Sequence, residues 1–312
     1  MAPSVRAGMA DLATGRSAVN RGVWQAVGAY TIWGLLPLYW KALHDIPALQ
    51  LISHRVVWSS VLLVVVLVAW RRLGAFVARS RDARTLAIYG AAAVLLGVNW
   101  LTYVWGVNAG FVVETSLGYF INPLLSVVLG VVFLGERLRR VQWASVALAS
   151  AGVAYLTFDY GRLPWIALVL ALTFAVYGLV KKTAPLGSVD GLALETVILF
   201  GPALAVLVLA EESGTGAVTG ASVPMLLALA GTGVATTVPL LLFSSAARRI
   251  PLTWIGILQY IAPTLQFALG VFVFREAVSA HTLGGFAAVW AALVLFAGDA
   301  LRRRTAEPVT AE

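Results

Sequence analysis

The clearest structural signal in this chain is the stretch "VVETSLGYFINPLLSVVLGVVFLGERLRR", residues 112–140. Its apolar core, residues 116–134, approaches the roughly 20 residues that a helix needs to cross a bilayer. An acid, Glu114, precedes this core, the pair Asn122-Pro123 interrupts it, and a cluster of arginines follows it. The stretch therefore predicts a membrane-spanning helix that carries an acid and a helix breaker, and both need an explanation in such apolar surroundings.

The composition of the whole chain places it in the same class. Of its 312 residues, 60% are hydrophobic and 12% are charged, whereas about a quarter of the residues in a soluble domain are charged. Within lipid, every backbone N–H and C=O group must be paired inside its own segment, so long apolar segments form helices. The sequence predicts an all-α, polytopic membrane protein.

Apolar segments recur along the chain and are separated by short connections rich in charge, Gly and Pro. The ten predicted transmembrane helices are 22–41, 48–70, 85–107, 112–134, 141–159, 163–180, 190–210, 222–245, 252–274 and 279–300.

The basic residues predict the orientation of these helices. Of the 22 Lys and Arg residues, 18 fall in the two tails and the even-numbered connections, whereas Arg162 and Arg275 alone fall in the odd-numbered connections. Because Lys- and Arg-rich loops stay on the cytoplasmic side, both termini are predicted to be cytoplasmic in a multi-pass protein of the cell (inner) membrane. This placement accounts for the formal charge of +8 without a nucleic-acid partner.

An internal repeat appears when the sequence is shifted by 140 residues. The segment "INPLLSVVLGVVFLGE" (121–136) then aligns with "IAPTLQFALGVFVFRE" (261–276), and seven of the 16 positions are identical. The identical pairs include Pro123 with Pro263, Gly130 with Gly270 and Glu136 with Glu276. Repeats of this kind indicate that one structural unit has been used twice.

The repeat divides the chain into two halves, 21–160 and 161–300, between a cytoplasmic tail at 1–20 and another at 301–312. Each half contains five predicted helices. Because five is odd, the second half enters the membrane upside down relative to the first. Inverted repeats of this kind are typical of secondary transporters, whose solute site lies near the bilayer midplane between the repeats.

Two motifs, "GAYTIWGLLPLYWKAL" (28–43) and "ETSLGYFINPLLSVVLGVVFLGERL" (114–138), resemble those of RarD-type permeases. These permeases form part of the EamA family in the drug/metabolite transporter superfamily, and the resemblance covers about 21–300. It implies ten helices in two inverted EamA repeats and the transport of a small solute, but it names no solute. The second copy reads "REAVS" where the first reads "GERLR", which leaves the role of Glu276 open.

A group of charged residues is predicted at the outer ends of the first-half helices: Lys41, His54, Arg55 and Glu114. Glu114 is interpreted either as an acid favoured by the dipole at a helix start or as a carboxylate facing a water-filled vestibule. A charge inside the bilayer costs roughly 2.5–3.5 kcal/mol, and Arg55 is about one turn deep. The sequence therefore predicts an ion pair between Glu114 and Arg55, which Lys41 shares, as part of an outer gate.

A second embedded acid is Glu195, which the 140-residue shift aligns with Arg55. Lys181 or Lys182, on the preceding hairpin, is the predicted partner of its carboxylate. The pair is interpreted either as two side chains that reach the membrane interface or as an inner gate opposite the outer one.

The two prolines of the repeat predict kinks. Proline lacks a backbone donor and displaces the carbonyl four residues earlier, here that of Tyr119 for Pro123 and that of Gln259 for Pro263. The kinks are interpreted either as tolerated or as part of a cavity wall, where freed carbonyls can bind solute or water.

Deep aromatic and amide side chains complete the predicted solute pathway, since their polar groups need partners or water within the membrane. With the residues above, the pathway comprises Trp33, Asn99, Trp100, Tyr103, Glu114, Tyr119, Asn122, Pro123, Tyr177, Gln259, Tyr260, Pro263 and Gln266.

No enzyme motif accompanies these residues. There is no phosphate-binding G-x-x-x-x-G-K-[ST] loop, and three His with no Cys predict neither a metal site nor a cofactor. The sequence favours a secondary permease that moves a small organic solute by alternating access. A membrane enzyme acting on a lipid-like substrate and a non-transporting scaffold are the alternatives. Proton coupling through Glu114 or Glu195, uniport and a homodimer all stay open.

Overall fold

The computed structural model describes the backbone of residues 3–109, 111–158, 163–273, 275 and 280–306, and the side chains of 18–106, 109, 111, 114–158, 163–273, 275 and 283–299. Glu276 lies outside these residues. The described chain forms helices α1 Pro3–Lys41, α2 Ala48–Ala69, α3 Leu73–Ser80, α4 Ala83–Asn108, α5 Val112–Leu134, α6 Arg140–Phe158, α7 Trp165–Thr183, α8 Ser188–Glu212, α9 Val223–Ala247, α10 Leu252–Gln259, α11 Ile261–Ala268 and α12 Ala280–Ala306, with a π-helical turn at Leu269–Val273.

The all-α, multi-pass class is confirmed. In the part of the chain that the structure describes, eight helical segments are long and apolar enough to cross a membrane, and Leu283–Asp299 is a shorter apolar segment. The short helix α3, between α2 and α4, is not among the predicted helices. It is followed by Asp82, whose carboxylate accepts hydrogen bonds from the hydroxyl and the N–H of Thr85, both at 2.8 Å. These bonds lower the pKa of Asp82 and fix the start of α4.

The two repeat prolines have different effects on their helices. Helix α5 continues through Pro123. The predicted helix 252–274 instead divides at Tyr260 into α10 and α11, and Pro263 lies in the first turn of α11. The kink predicted at the second proline is therefore a break between two helices, whereas the first proline lies in an uninterrupted helix.

The helices pack in a pattern that crosses between the two halves of the sequence. Helix α5 packs on α7 and α10, α1 on α9 and α11, α2 on α8 and α9, α4 on α7 and α8, and α6 on α12. A large hydrophobic core includes side chains of α1, α2, α4, α7, α8, α9 and α10, and a smaller core joins α5 and α6 to α12. Residues far apart in sequence therefore face one another at the centre of the bundle.

The Gly and Glu of the first repeat motif form a helix cap. Gly135, with φ of 64°, ends α5, and the carboxylate of Glu136 accepts bonds from the backbone N–H groups of Leu252 at 2.6 Å and Thr253 at 2.9 Å. A Cβ at Gly130 would come within 2.7 Å of Glu136 Oε2. Gly130 therefore leaves room for the carboxylate of Glu136, which accepts hydrogen bonds from N–H groups at the start of α10. Unpaired N–H groups at a helix start favour negative charge.

Candidate functional site

A cavity of about 470 Å³ lies between helices from both halves of the chain, within the range of about 300–1,000 Å³ that is usual for small-molecule sites. Its walls come from α1, α2, α4, α5, α7, α9, α10, α11 and the π-helical turn. The described residues of the lining are mainly aromatic and apolar, with a few amides and one cation, Arg55.

Nine of the residues that the sequence placed on a solute pathway meet on this wall: Trp33, Asn99, Trp100, Tyr103, Tyr119, Asn122, Gln259, Pro263 and Gln266. They come from five helices, α1, α4, α5, α10 and α11. The division at Tyr260 matters here, because both sides of it, α10 and α11, contribute to the wall.

The amides on the wall are held by different partners. The Asn99 side chain donates to the Leu170 carbonyl and to Thr173 Oγ1, both at 2.9 Å, and the Gln266 amide donates to the Trp33 carbonyl at 3.3 Å. In contrast, Gln259 Oε1 is buried with no hydrogen-bond partner among the described residues. An unpaired polar atom of this kind is costly in a low-dielectric interior and is available to a bound molecule.

Arg55, on α2, lines the cavity close to two indole rings. Its guanidinium carbon lies 5.0 Å from the ring centroid of Trp40 and 4.8 Å from that of Trp100, and its Nε donates to Thr236 Oγ1 at 2.9 Å. Both ring contacts are within the range of cation–π attraction, which is worth about 2 kcal/mol or more where water is excluded. Among the described residues, Arg55 is thus held by a hydroxyl and two aromatic faces, and the predicted ion pair with Glu114 is wrong.

Glu114 lies outside the cavity wall, contrary to the prediction. Its carboxylate is 1% exposed, and Oε1 accepts a bond from the backbone N–H of Ile166 at 2.7 Å. Ile166 is in the first turn of α7. The acid therefore stabilises the start of the neighbouring helix α7, where its negative charge is favourable. It is buried, although it was predicted to be hydrated at the start of its own helix.

The other residues of the predicted outer group do not join Arg55 on the wall. Lys41 ends α1 with an exposed side chain. The imidazole of His54 is 4% exposed, and neither of its ring nitrogens has a hydrogen-bond partner among the described residues.

Of the two predicted partners of Glu195, Lys181 is confirmed. Lys181 Nζ lies 2.7 Å from Glu195 Oε1, and the two side chains are 3% and 0% exposed. The Tyr177 hydroxyl donates to Glu195 Oε2 at 2.9 Å. The pair is therefore buried inside the protein, and Tyr177 faces this pair instead of the cavity wall on which it was predicted.

Two further pathway residues lie away from the wall. Tyr260 is 0% exposed, and its hydroxyl donates to the Phe120 carbonyl at 3.1 Å. The carbonyl of Pro123 faces α10 so closely that a Cβ on Gly256 would lie 2.5 Å from it. Both residues belong to the contact between α5 and the divided helix.

Sequence reasoning missed several wall residues, among them Tyr30, Pro37, Trp40 and Phe174. Three of these lie on α1 with Trp33, in the series 30, 33, 37 and 40. This spacing of three and four residues places side chains on one helix face. It is the signal that could have identified α1 as a wall of the cavity.

Comparisons with known proteins agree with this architecture. The model of the EamA-like transporter family matches residues 20–158. The chain is 47% identical over 281 residues to "Protein RarD" of Streptomyces exfoliatus, covering 90% of this chain and 89% of that one. It is 42% identical over 292 residues to an uncharacterized transporter of Pseudomonas aeruginosa, covering 93% and 98%. A solved structure titled "Crystal structure of protein" shares the fold, with a TM-score of 0.67, 18% identity and coverage of 88% and 96%.

Proposed function

The chain belongs to the EamA-like transporter family as a RarD-type permease, and we propose that it moves a small organic solute across the cell (inner) membrane by alternating access. The observation that carries this proposal is the cavity of about 470 Å³ between helices of both halves. A site between two repeats is exposed to either side in turn when one repeat rocks against the other.

The proposed architecture is ten transmembrane helices in two inverted repeats, 21–160 and 161–300, with both termini in the cytoplasm. Three helix pairings support it, α2 with α8, α6 with α12, and α5 with α10. Each joins helices that the 140-residue shift makes equivalent, as expected for elements next to a two-fold axis. The hydrogen bond between Tyr260 and Phe120 joins positions that are also 140 residues apart.

The nine predicted residues on the cavity wall and Arg55 are proposed as the solute pathway. Trp33, Trp100 and Tyr119 supply flat surfaces, whereas Asn122 and Gln259 supply polar groups. Apolar walls with a few polar groups at fixed positions are the usual make-up of a site that orients a small molecule.

We propose uniport as the simplest mode of transport. Glu114 accepts a bond from the start of α7, and Glu195 is paired with Lys181. Neither lines the cavity, and no Asp or Glu is present among its described lining residues. A carboxylate on the pathway, the usual relay for protons in transporters, is therefore lacking in the described part of the wall.

Uptake into vesicles reconstituted with the purified protein tests the proposal. A panel of amino acids, nucleobases, sugars, organic acids and amphipathic drugs is offered with and without a pH gradient. We expect saturable uptake of one class, which Trp100→Ala reduces and Trp143→Ala leaves unchanged, since Trp143 is on α6 and away from the cavity. Uptake no faster than in protein-free vesicles for every class would contradict the proposal.

A further inference from the structure

The cavity has a positive charge that its own wall does not balance. Arg55 is the one charged side chain among the described residues that line it. Its Nε is bonded to Thr236, but the two terminal nitrogens have no hydrogen-bond or ion-pair partner in the described part of the chain. A guanidinium has five N–H donors in a planar fork, so most of its donors face the cavity unused.

The two indole rings fix the orientation of this fork. Trp40 and Trp100 lie on it at 5.0 and 4.8 Å, and Thr236 holds its Nε. A guanidinium binds a carboxylate along its edge through two parallel hydrogen bonds, and the terminal nitrogens that form this edge have no hydrogen-bond partner among the described residues, where Nε is bonded to Thr236. The arrangement is therefore preorganised for an anion that approaches in the plane of the fork.

We infer that the cavity binds a singly charged organic carboxylate with a flat apolar body, the carboxylate on Arg55 and the body against the aromatic wall. This inference rests on the proposed function and specifies its substrate class. An incoming carboxylate neutralises a cation that is costly to keep alone in a low-dielectric site. The rings of Trp33, Trp100 and Phe174 supply apolar surface for the body.

The same charge disfavours other classes of solute. An amine would place a second cation beside Arg55, and a zwitterion would bring an ammonium group for which the described wall has no carboxylate. A neutral amide matches the shape of the acid, but it has one acceptor oxygen where the carboxylate has two for paired bonds to the guanidinium, and it brings no charge that neutralises Arg55.

Titration calorimetry on the purified full-length protein tests the inference with five probes. Benzoate carries both the ring and the charge, benzamide has the ring without the charge, and acetate has the charge without the ring. Benzylamine reverses the charge, and phenylalanine adds an ammonium group. We expect benzoate to bind about tenfold or more tightly than each of the other four, a factor equivalent to about 1.4 kcal/mol.

Variants identify the cation that is responsible. Arg55→Gln should abolish the preference for benzoate, so that benzoate and benzamide bind about equally. Arg55→Lys should retain part of the preference, because Lys keeps the positive charge but lacks the planar guanidinium. Arg81→Gln is the control, since Arg81 is exposed beyond α3. If Arg55→Gln fails to fold, as judged by gel filtration, the probe series on the unaltered protein and Arg55→Lys still decide the question.

Failure of the inference differs from failure of the proposed function. Equal or tighter binding of benzamide, benzylamine or phenylalanine overturns the inference, and vesicle uptake of that probe would leave the permease proposal intact. Preferred binding of benzoate that Arg55→Gln abolishes supports the inference. If this binding is found without uptake of any panel member into vesicles, the site is correct and the transport proposal fails.

Discussion

The hydroxyl of Tyr260 donates a hydrogen bond to the backbone carbonyl of Phe120 at 3.1 Å, and the two residues are 140 positions apart in the sequence. This is the same shift that aligns the repeat motifs. In the proposed architecture of two inverted repeats, equivalent positions touch only near the axis that relates them. The contact between α5 and the divided helix α10–α11 is therefore the expected centre of the molecule, beside the cavity.

Tyr260→Phe tests whether this contact stabilises the fold. We expect the free energy of unfolding to fall by about 0.5–1.5 kcal/mol, the usual net value of one buried hydrogen bond. Tyr30→Phe is the matched control, because the Tyr30 hydroxyl is buried with no hydrogen-bond partner among the described residues. Denaturant titration in detergent should show no fall in the free energy of unfolding for Tyr30→Phe. Equal effects of the two variants would mean that the bond to Phe120 contributes nothing.

The buried pair of Lys181 and Glu195 should be costly to break from one side. Lys181→Met and Glu195→Gln are each expected to lower the free energy of unfolding by about 3–5 kcal/mol, because Lys181→Met leaves a buried charge and Glu195→Gln leaves the ammonium alone. The double variant should recover most of this loss, and Gln at 195 still accepts the Tyr177 hydroxyl bond.

A matched control for this cycle is Asp45→Asn. The pair of His44 and Asp45 is 72% and 78% exposed, and exposed pairs contribute about 0–1 kcal/mol. The cycle is measured by denaturant unfolding of the four proteins. Additive losses in the double variant would show that the two buried side chains do not compensate one another.

The sequence predicted that Glu195 pairs with Lys181 or Lys182 because the connection between the two helices is short. Lys181 is in the last turn of α7, Glu195 is the eighth residue of α8, and only 184–187 lie between the helices. Few arrangements of such a hairpin keep the two charges apart, and an unpaired charge in lipid is unfavourable. Local geometry and energetics therefore pointed to the two lysines at the end of α7, and the structure selects Lys181.

The predicted ion pair of Arg55 with Glu114 failed because the depth of a residue in the membrane does not specify which way its side chain points around the helix. Counting residues placed Glu114 and Arg55 at one level, but Glu114 faces α7 and Arg55 faces the cavity. The partner Thr236 is 181 residues from Arg55, and no local pattern marks one hydroxyl among many. Likewise, proline at two equivalent positions predicted equal kinks, but only the second helix is divided.

Independent contributions of Glu114 and Arg55 follow from this separation. Glu114→Gln should lower the free energy of unfolding by about 0.5–2 kcal/mol through the weakened cap on α7, whereas Arg55→Gln should act mainly on ligand binding. Their effects on unfolding should add within about 0.5 kcal/mol, as they do for residues without shared partners. A coupling clearly above that value in denaturant unfolding would restore the ion pair predicted from the sequence.

Gly256→Ala should disturb the contact between α5 and α10. The added Cβ would lie 2.5 Å from the Pro123 carbonyl, so one helix must shift. We expect the free energy of unfolding to fall by about 1–3 kcal/mol. Gly90→Ala, in the interior of α4 with no atom within 4 Å of the new Cβ, should instead stabilise by up to about 1 kcal/mol through helix propensity. Thermal melting distinguishes the two variants, and equal shifts would exclude a tight contact at Gly256.

The basic loops of the bundle predict its orientation in the membrane. The loops that contain most basic residues are also tied to one another. Arg72 Nη2 lies 3.0 Å from Asp190 Oδ2, and the Arg248 guanidinium donates to the carbonyls of Ala184 at 2.7 Å and Leu186 at 2.9 Å. These contacts gather positive charge on one face of the bundle. Since loops rich in Lys and Arg stay in the cytoplasm, this face should be cytoplasmic, and the connection between α8 and α9 should be external.

Single cysteines in this Cys-free chain measure the orientation directly. Ser213 and Ala83 are both exposed, so burial does not bias the comparison. In intact cells, a membrane-impermeant maleimide should label Ser213→Cys and leave Ala83→Cys unlabelled, and permeabilising the membrane should make both react. Because ten spans with cytoplasmic termini place these two sites on opposite sides, labelling of Ala83→Cys in intact cells would contradict that topology.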